Sequence, residues 1–215
     1  MKIWKRTAFA GILGAMLLSG CAMNVSTIEP DMRAFTLENK PSATATVFIR
    51  EVKDKRVFAE NGRAYMPTWS NDGTHEEARA VGRKRNSFGM AEGGLVLPEG
   101  MPATEVVKKA LSQALIDDGY KVVQNPSEVT DQTRVLDVDM DQFWCWVQMG
   151  FWALALNGDI SAQVRPEGEE PVTVQSHVMR RSIAATDGGW LNVLNDAIHE
   201  FYLNAKDKFR DSFKK

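Results

Sequence analysis

DQFWCWVQMGFW, residues 141–152, sets three Trp, two Phe and a lone Cys side by side. Such a cluster can be a cofactor box, a membrane wedge or a filled core. Its flanks, about 133–147 and 151–165, are rich in alternating apolar positions and read as two strands joined by a tight turn. A three-residue loop at 148–150 with Gly150 in the left-handed position makes the hairpin. In that register Trp146 opposes Trp152, Trp144 opposes Leu154, Val138 opposes Ile160 and Leu136 opposes Ala162, all on one face because strand side chains alternate. A slip by one residue mixes polar and apolar positions, so this face reads as core. The opposite face starts polar, with Asp137, Asp139 and Asp141. Toward the turn it becomes apolar, with Phe143, Cys145, Val147 and Phe151. Phe143, Val147 and Phe151 are therefore a candidate apolar contact patch, covered either by the chain itself or by a partner or membrane surface. Cys145 reads as a small buried hydrophobe, since no basic neighbour is at hand to activate its thiol.

Around the hairpin, "TATVFIREVK" (44–53) carries the β-branched enrichment of a strand. Residues 54–101 hold seven of the 16 glycines and no long period, and read as one long Gly-rich insertion. Within it Thr74-His75-Glu76-Glu77 matches a capping box, which starts a short helix that Gly82 could end. After Pro102 the pairs Val106/Val107, Ala110/Leu111 and Ala114/Leu115 recur at helical spacing up to a Gly119 stop. "YKVV" (120–123) and residues 171–183 read as further strands. Leu191, Leu194, Ile198, Phe201, Ala205 and Phe209 stripe a C-terminal helix from about 189 to 212. The order predicts an α+β fold: an antiparallel-rich sheet of about five strands with two main helices packed on one face.

The N-terminus carries Lys2, Lys5 and Arg6, an apolar run from Ala8 to Leu18, and then Ser19-Gly20-Cys21. This is the layout of an export signal, and about eleven apolar residues are too few to span a bilayer. Leu18-Ser19-Gly20-Cys21 resembles the bacterial lipobox. The resemblance implies removal of residues 1–20, acylation of Cys21 on sulphur and then nitrogen, and anchoring by several acyl chains, which hold where one chain does not. Ala22 in place of Asp implies delivery to the outer membrane. Residues 21–43, polar and with Pro30 and Pro41, read as the acylated Cys and a tether, leaving 44–215 as a single periplasmic domain. Loss of the signal removes three of the 26 Lys and Arg, which face 28 Asp and Glu, so the mature chain is mildly acidic and no nucleic acid is expected as a partner.

The search for chemistry returns little. Asp139 and Asp159, opposed in the expected register, with Asp137 and Asp141 nearby, do not have the spacing of a loop-type cation site, so no metal is expected. His75, His177 and His199 stand apart from one another, and no nucleophile elbow, phosphate loop or dinucleotide fingerprint occurs. No cofactor and no catalytic residue follow. The remaining feature is "VGRKRNSFG" (81–89), where Arg83, Lys84 and Arg85, with Arg79 close by, cluster beside Phe88. Forked guanidinium groups grip phosphate or carboxylate, so these five residues are a candidate site for an acidic envelope partner.

"VKDKR" (52–56), "GRKRNSFG" (82–89), "LPEG" (97–100), "ALSQALIDDGYKV" (110–122) and "FWCWVQMGFW" (143–152), behind a lipobox, resemble the YajG family of bacterial lipoproteins. The chain departs from that family's Pro before the turn glycine, carrying Met149 in its place. The resemblance implies an envelope lipoprotein and no reaction. Together these readings predict a non-enzymatic protein, lipid-anchored to the outer membrane and facing the periplasm, that binds or assembles with another envelope component. The alternative is a lipid or small-ligand carrier, which needs a cavity between sheet and helices.

Overall fold

The aromatic hairpin forms, but in another register. In a computed structural model that describes residues 25–43, 45–59, 62–68, 77–86 and 88–213, β6 (Arg134–Met149) pairs antiparallel with β7 (Leu154–Pro166). Trp146 lies opposite Asn157 and Trp144 opposite Asp159. β6 runs two residues further than expected and β7 begins three residues later, so the loop is 150–153 and not 148–150. Gly150 does not have a positive φ. Glycine is needed there because the Ala153 carbonyl sits where a Cβ would be.

The pairing skips Asp141: Met140 faces Ala162, and Gln142 faces Ser161. This β-bulge inserts one extra residue and inverts the alternation beyond it. Before the bulge Leu136, Val138 and Met140 point into the core; after it Phe143, Cys145 and Val147 do. The half-polar, half-apolar face read from strict alternation is thus two half-faces joined at a bulge. Phe143 and Val147 are buried in the core and belong to no exposed patch, whereas Phe151 is 88% exposed at the turn.

The five strands foreseen lie side by side in the order β8 (Val172–Ser182), β7, β6, β2 (Ala45–Asp54), β5 (Tyr120–Val123). The β8/β7 and β7/β6 pairings are antiparallel, but β6/β2 and β2/β5 are parallel. The sheet is therefore mixed, and it is wider than expected. The supposed long loop contains β3 (Ala80–Arg85) and β4 (Ala91–Val96), an antiparallel hairpin whose first strand joins β6 beyond the stretch that β2 occupies. Gly82, expected to end a helix, sits mid-strand opposite Cys145, with the Cys145 carbonyl 2.7 Å from the place of a Cβ. Residues 74–76 of the expected capping box lie outside the described residues, and Glu77–Arg79 is a short 3-10 turn. The eighth strand, β1 (Ser26–Thr27), runs parallel to β4.

Helices α1 (Ala103–Asp117) and α2 (Asp187–Ser212) cover one face. Gly119, at φ 99°, ends the first as expected. Thr186 caps the second, its Oγ1 accepting from Gly189 N at 3.1 Å. The α2 stripe is buried at Leu194, Ile198, Phe201, Ala205 and Phe209, with Trp190, Val193 and Ala197 added. Fully burying an apolar side chain of this size contributes about 1.5–3 kcal/mol, so this face dominates stability.

The tether reading is corrected from Val25 onward. Ile28 and Phe35 are buried in the main core. Leu37 N donates to Gln113 Oε1, and the Asn39 side chain both donates to Val122 O and accepts from Val122 N. Residues 25–43 thus run as a strap over the body and cap the outer edge of β5. A mostly polar segment with two well-placed apolar residues shows no period, which is why it read as a linker. Residues 1–24, with the signal and Cys21, lie outside the described residues.

Candidate functional site

Trp144 is buried, but on the face away from the helices. Residues 55–59 and 62–68 lie there: Phe58 meets its ring edge-on at 6.1 Å, and Trp144 Nε1 donates to Ala64 O at 3.2 Å. Tyr65 stands edge-on to Trp146, also at 6.1 Å. The tryptophans of the hairpin's strands therefore fill a second, smaller core between sheet and crossing segment. Arg56 holds that segment down. Its side chain is wholly buried, paired with Asp54 at 2.6 Å, and it donates to the carbonyls of Ala80 (2.5 Å), Glu77 (2.9 Å) and Phe143 (3.3 Å). Sequence reading missed this residue, because a lone Arg in "KDKR" carries no signal of burial.

The rest of that face is a ladder of ion pairs. Arg50 on β2 grips Asp137 on β6 (2.6 Å), Asp139 on β6 meets Arg165 on β7, and Asp159 on β7 bridges Trp146 Nε1 and His177 Nδ1. The Arg50 hydrogen bonds hold the Asp137 carboxyl below its ordinary range, and those of Arg165 do the same for Asp139. These acids answer to cations of the protein, and among the described residues no cluster of His, Cys, Asp or Glu is arranged to hold a metal ion. Cys145 is buried, and burial, followed by the Asp159 charge, pushes its thiol up to about 12.

The basic cluster is largely occupied by the protein itself. Arg79 donates to Leu97 O at 3.2 Å. Lys84 Nζ donates to Ser26 Oγ (2.5 Å) and Asp187 Oδ1 (2.9 Å), tying β1 to the start of α2 and lowering the Asp187 carboxyl. Arg85 donates to Gly89 O (2.9 Å) and Gly62 O (3.3 Å), bracing its own turn. Arg83 is half-buried on β3. Phe88 is 85% exposed at the tip of that turn. The structure therefore separates the candidates: Arg79, Lys84 and Arg85 brace strands and turns, and the aromatic stands out into solvent.

Phe88 and Phe151 are brought together by topology. β3 runs parallel to β6, so the β3–β4 connection, with Phe88 and Met90, and the β6–β7 turn (150–153) lie at one end of the sheet. β8 also ends there, with Ser182 opposite Leu154. The N-terminal strap enters from the same side: β1 runs parallel to β4, away from the β3–β4 turn, and Val25 lies against Gly94, three residues past the start of β4 at Ala91. Exposed Met90, Trp152 and Ile183 complete the row. The opposite resource is the outer edge of β8. Among the described strands β8 pairs with β7 alone. Beside it an open groove of about 670 Å³ is lined by Gln175, His177, Glu200, Asp207, Lys208 and Asp211, among others.

No family model matches this chain. No curated protein matches it either. The resemblance to YajG therefore stands on the quoted motifs alone. Among solved structures, protein XCC0632 from Xanthomonas campestris is similar at 13% identity, covering 88% of this chain and 98% of that one, with a TM-score of 0.46. A minor lipoprotein from Acinetobacter baumannii is similar at 10% identity over 54% of this chain and 89% of that one, with a TM-score of 0.38. No described helix is long and apolar enough to cross a membrane.

Proposed function

We propose that the protein is an outer-membrane lipoprotein, anchored through acylated Cys21, whose periplasmic domain is a non-enzymatic binding module for another envelope component. The lipobox-like Leu18-Ser19-Gly20-Cys21 behind its export signal carries the anchoring half of this reading. The binding half rests on the edge of β8. An eleven-residue edge strand exposes unpaired backbone groups, a liability that proteins usually cover. The β5 edge is covered, by Asn39, and the β1 edge is two residues long. Along β8, Asn204 reaches Gln175 O, and the groove beside it offers charged side chains to an extended segment added as a further strand.

A lipid carrier would need an apolar void between sheet and helices; the binding module is favoured over it because buried side chains of both layers form one cluster there. In-cell photocrosslinking from His177 tests the reading, with Glu105, exposed on α1, as the control position. Adducts with one envelope protein from His177 and not from Glu105 are expected. Adducts with lipid would favour the carrier, and no adduct from β8 would remove the binding surface.

A further inference from the structure

We infer that the end of the sheet bearing the N-terminus lies against the bilayer, with Phe88, Phe151 and Trp152 seated at the lipid interface. This rests on the lipid-anchored reading and deepens it by orienting the domain.

Three observations meet. The first is reach. The chain is docked from Val25, whose Cγ2 lies 3.7 Å from the place of a Cβ on Gly94. Cys21 is four residues earlier, and four residues span at most about 14 Å. Acyl chains on Cys21 therefore cannot lie far from this end. Had residues 22–43 been a free tether, the domain could have turned any face to the membrane.

The second is composition. Phe88, Phe151, Trp152 and Ile183 are each at least 85% exposed, and Met90 is 60% exposed. Scattered exposed apolar residues need no explanation, but a row of large ones at one end marks a contact. The strand order from the β3–β4 turn onward is β4, β3, β6, β7, β8, so the row spans about 19 Å at the usual strand spacing. Trp and Phe are suited to the boundary between headgroups and acyl chains. Behind Trp152 a shallow depression of about 330 Å³ joins Met149, Leu154 and Met179 to exposed Arg181, an apolar wall with a cation at its rim.

The third is preorganisation. Asn86 Oδ1 accepts from both Phe88 N and Met90 N at 3.0 Å, and Arg85 holds Gly89 O, so the β3–β4 turn is built to hold Phe88 outward. Phe151 and Trp152 meet edge-on at 4.7 Å and support each other rather than folding back onto the sheet. A second copy of the chain could also cover the row, but nothing would then place the row beside the anchor.

The test uses the acylated protein in vesicles of three parts phosphatidylethanolamine to one part phosphatidylglycerol, with and without lipid brominated on its acyl chains. Intact mass first establishes acylation. The brominated lipid should quench a component of Trp emission that disappears in Trp152→Phe, and iodide in the water phase should lose access to the same component. If the protein is acylated and vesicle-bound yet Trp152 stays open to iodide and untouched by bromine, the docking inference falls and the anchor stands. If Trp152 is shielded from both quenchers and the protein crosslinks as a dimer, the row is an interface between copies, which also overturns it. If the mass shows no acyl chains, the anchor reading fails, and the orientation argued from it fails with it.

Discussion

Deleting Asp141 should unfold the domain or nearly so, although the residue is a partly exposed acid that pairs with nothing across the sheet. Without the extra residue, β6 must alternate strictly along its length. If residues 143–149 keep their register, Leu136, Val138 and Met140 turn to the open face, and each is now fully buried. At about 1.5–3 kcal/mol per side chain this costs roughly 5–9 kcal/mol. If residues 134–140 keep theirs, Phe143, Cys145 and Val147 leave the core, and Trp144 leaves the cover of Phe58 and Ala64, which costs more. Either loss is comparable to the entire stability of a domain, about 5–15 kcal/mol. Asp141→Ala keeps the bulge and should stay within about 0.5 kcal/mol of the parent, as surface changes usually do. Urea unfolding followed by far-UV circular dichroism reads both variants. With slopes of about 1–3 kcal/mol per molar, the deletion should lower the midpoint by roughly 2 M or more, or abolish the transition. A deletion variant unfolding cooperatively at the parent's midpoint would refute the bulge as the device that places both half-faces in the core.

Arg56→Met leaves Asp54 and three carbonyls without their buried partner, and should cost about 3–5 kcal/mol and red-shift Trp144 emission; an unchanged urea midpoint would show that the crossing segment is held by packing alone. Cys145, in a Cys21→Ser background, should resist alkylation at pH 8 and react fully in denaturant, since a thiol near 12 is about one part in ten thousand thiolate there. Labelling at the rate of a free small thiol would mean that the strand opens readily. The carboxyls of Asp137 and Asp139 are held low by Arg50 and Arg165, so their contribution is present above the unfolded carboxylate range, near pH 4, and is lost as pH falls through their folded values. The urea midpoint should therefore drop as pH falls below about 4, less steeply in Asp139→Asn; equal slopes would contradict the role of the pair. Lys84→Glu sets a carboxylate against Asp187 and should free the strap, read as faster protease cleavage within residues 25–43; unchanged cleavage would show that Ile28, Phe35 and the Leu37 and Asn39 hydrogen bonds hold it without this ion pair.

Wherever an element's own period marks it, the sequence is legible. The strands near 45, 120, 134, 154 and 172, and both long helices, emerge from periodicity together with Gly119 and the α2 stripe. Direction of pairing is not legible in this way. Nothing in "TATVFIREVK" says that it runs parallel to β6, because one alternating strand pairs either way. The bulge was hidden for a different reason. Its only trace is a face that changes from Asp137 and Asp139 to Phe143 and Cys145, and a rule of strict alternation turns that trace into a patch. Short strands with glycines, "AVGRKR" and "AEGGLV", lack the length to show a period, so they vanish into a loop. Of the candidate site residues, Phe88 and Phe151 are exposed at turns. Lys84 and Arg85 were read as free charges because sequence does not show the carbonyls, hydroxyl and carboxylate that receive them.

Anchoring and orientation both depend on the state of Cys21, and the intact mass of the detergent-extracted protein, with fragmentation of its N-terminal peptide, reads that state directly. The expected species lacks residues 1–20 and begins at Cys21, carrying a thioether-linked diacylglycerol and an amide-linked acyl chain. A protein that retains residues 1–20, or one that begins elsewhere with Cys21 removed or carrying a free thiol, would contradict the anchor and the orientation argued from it.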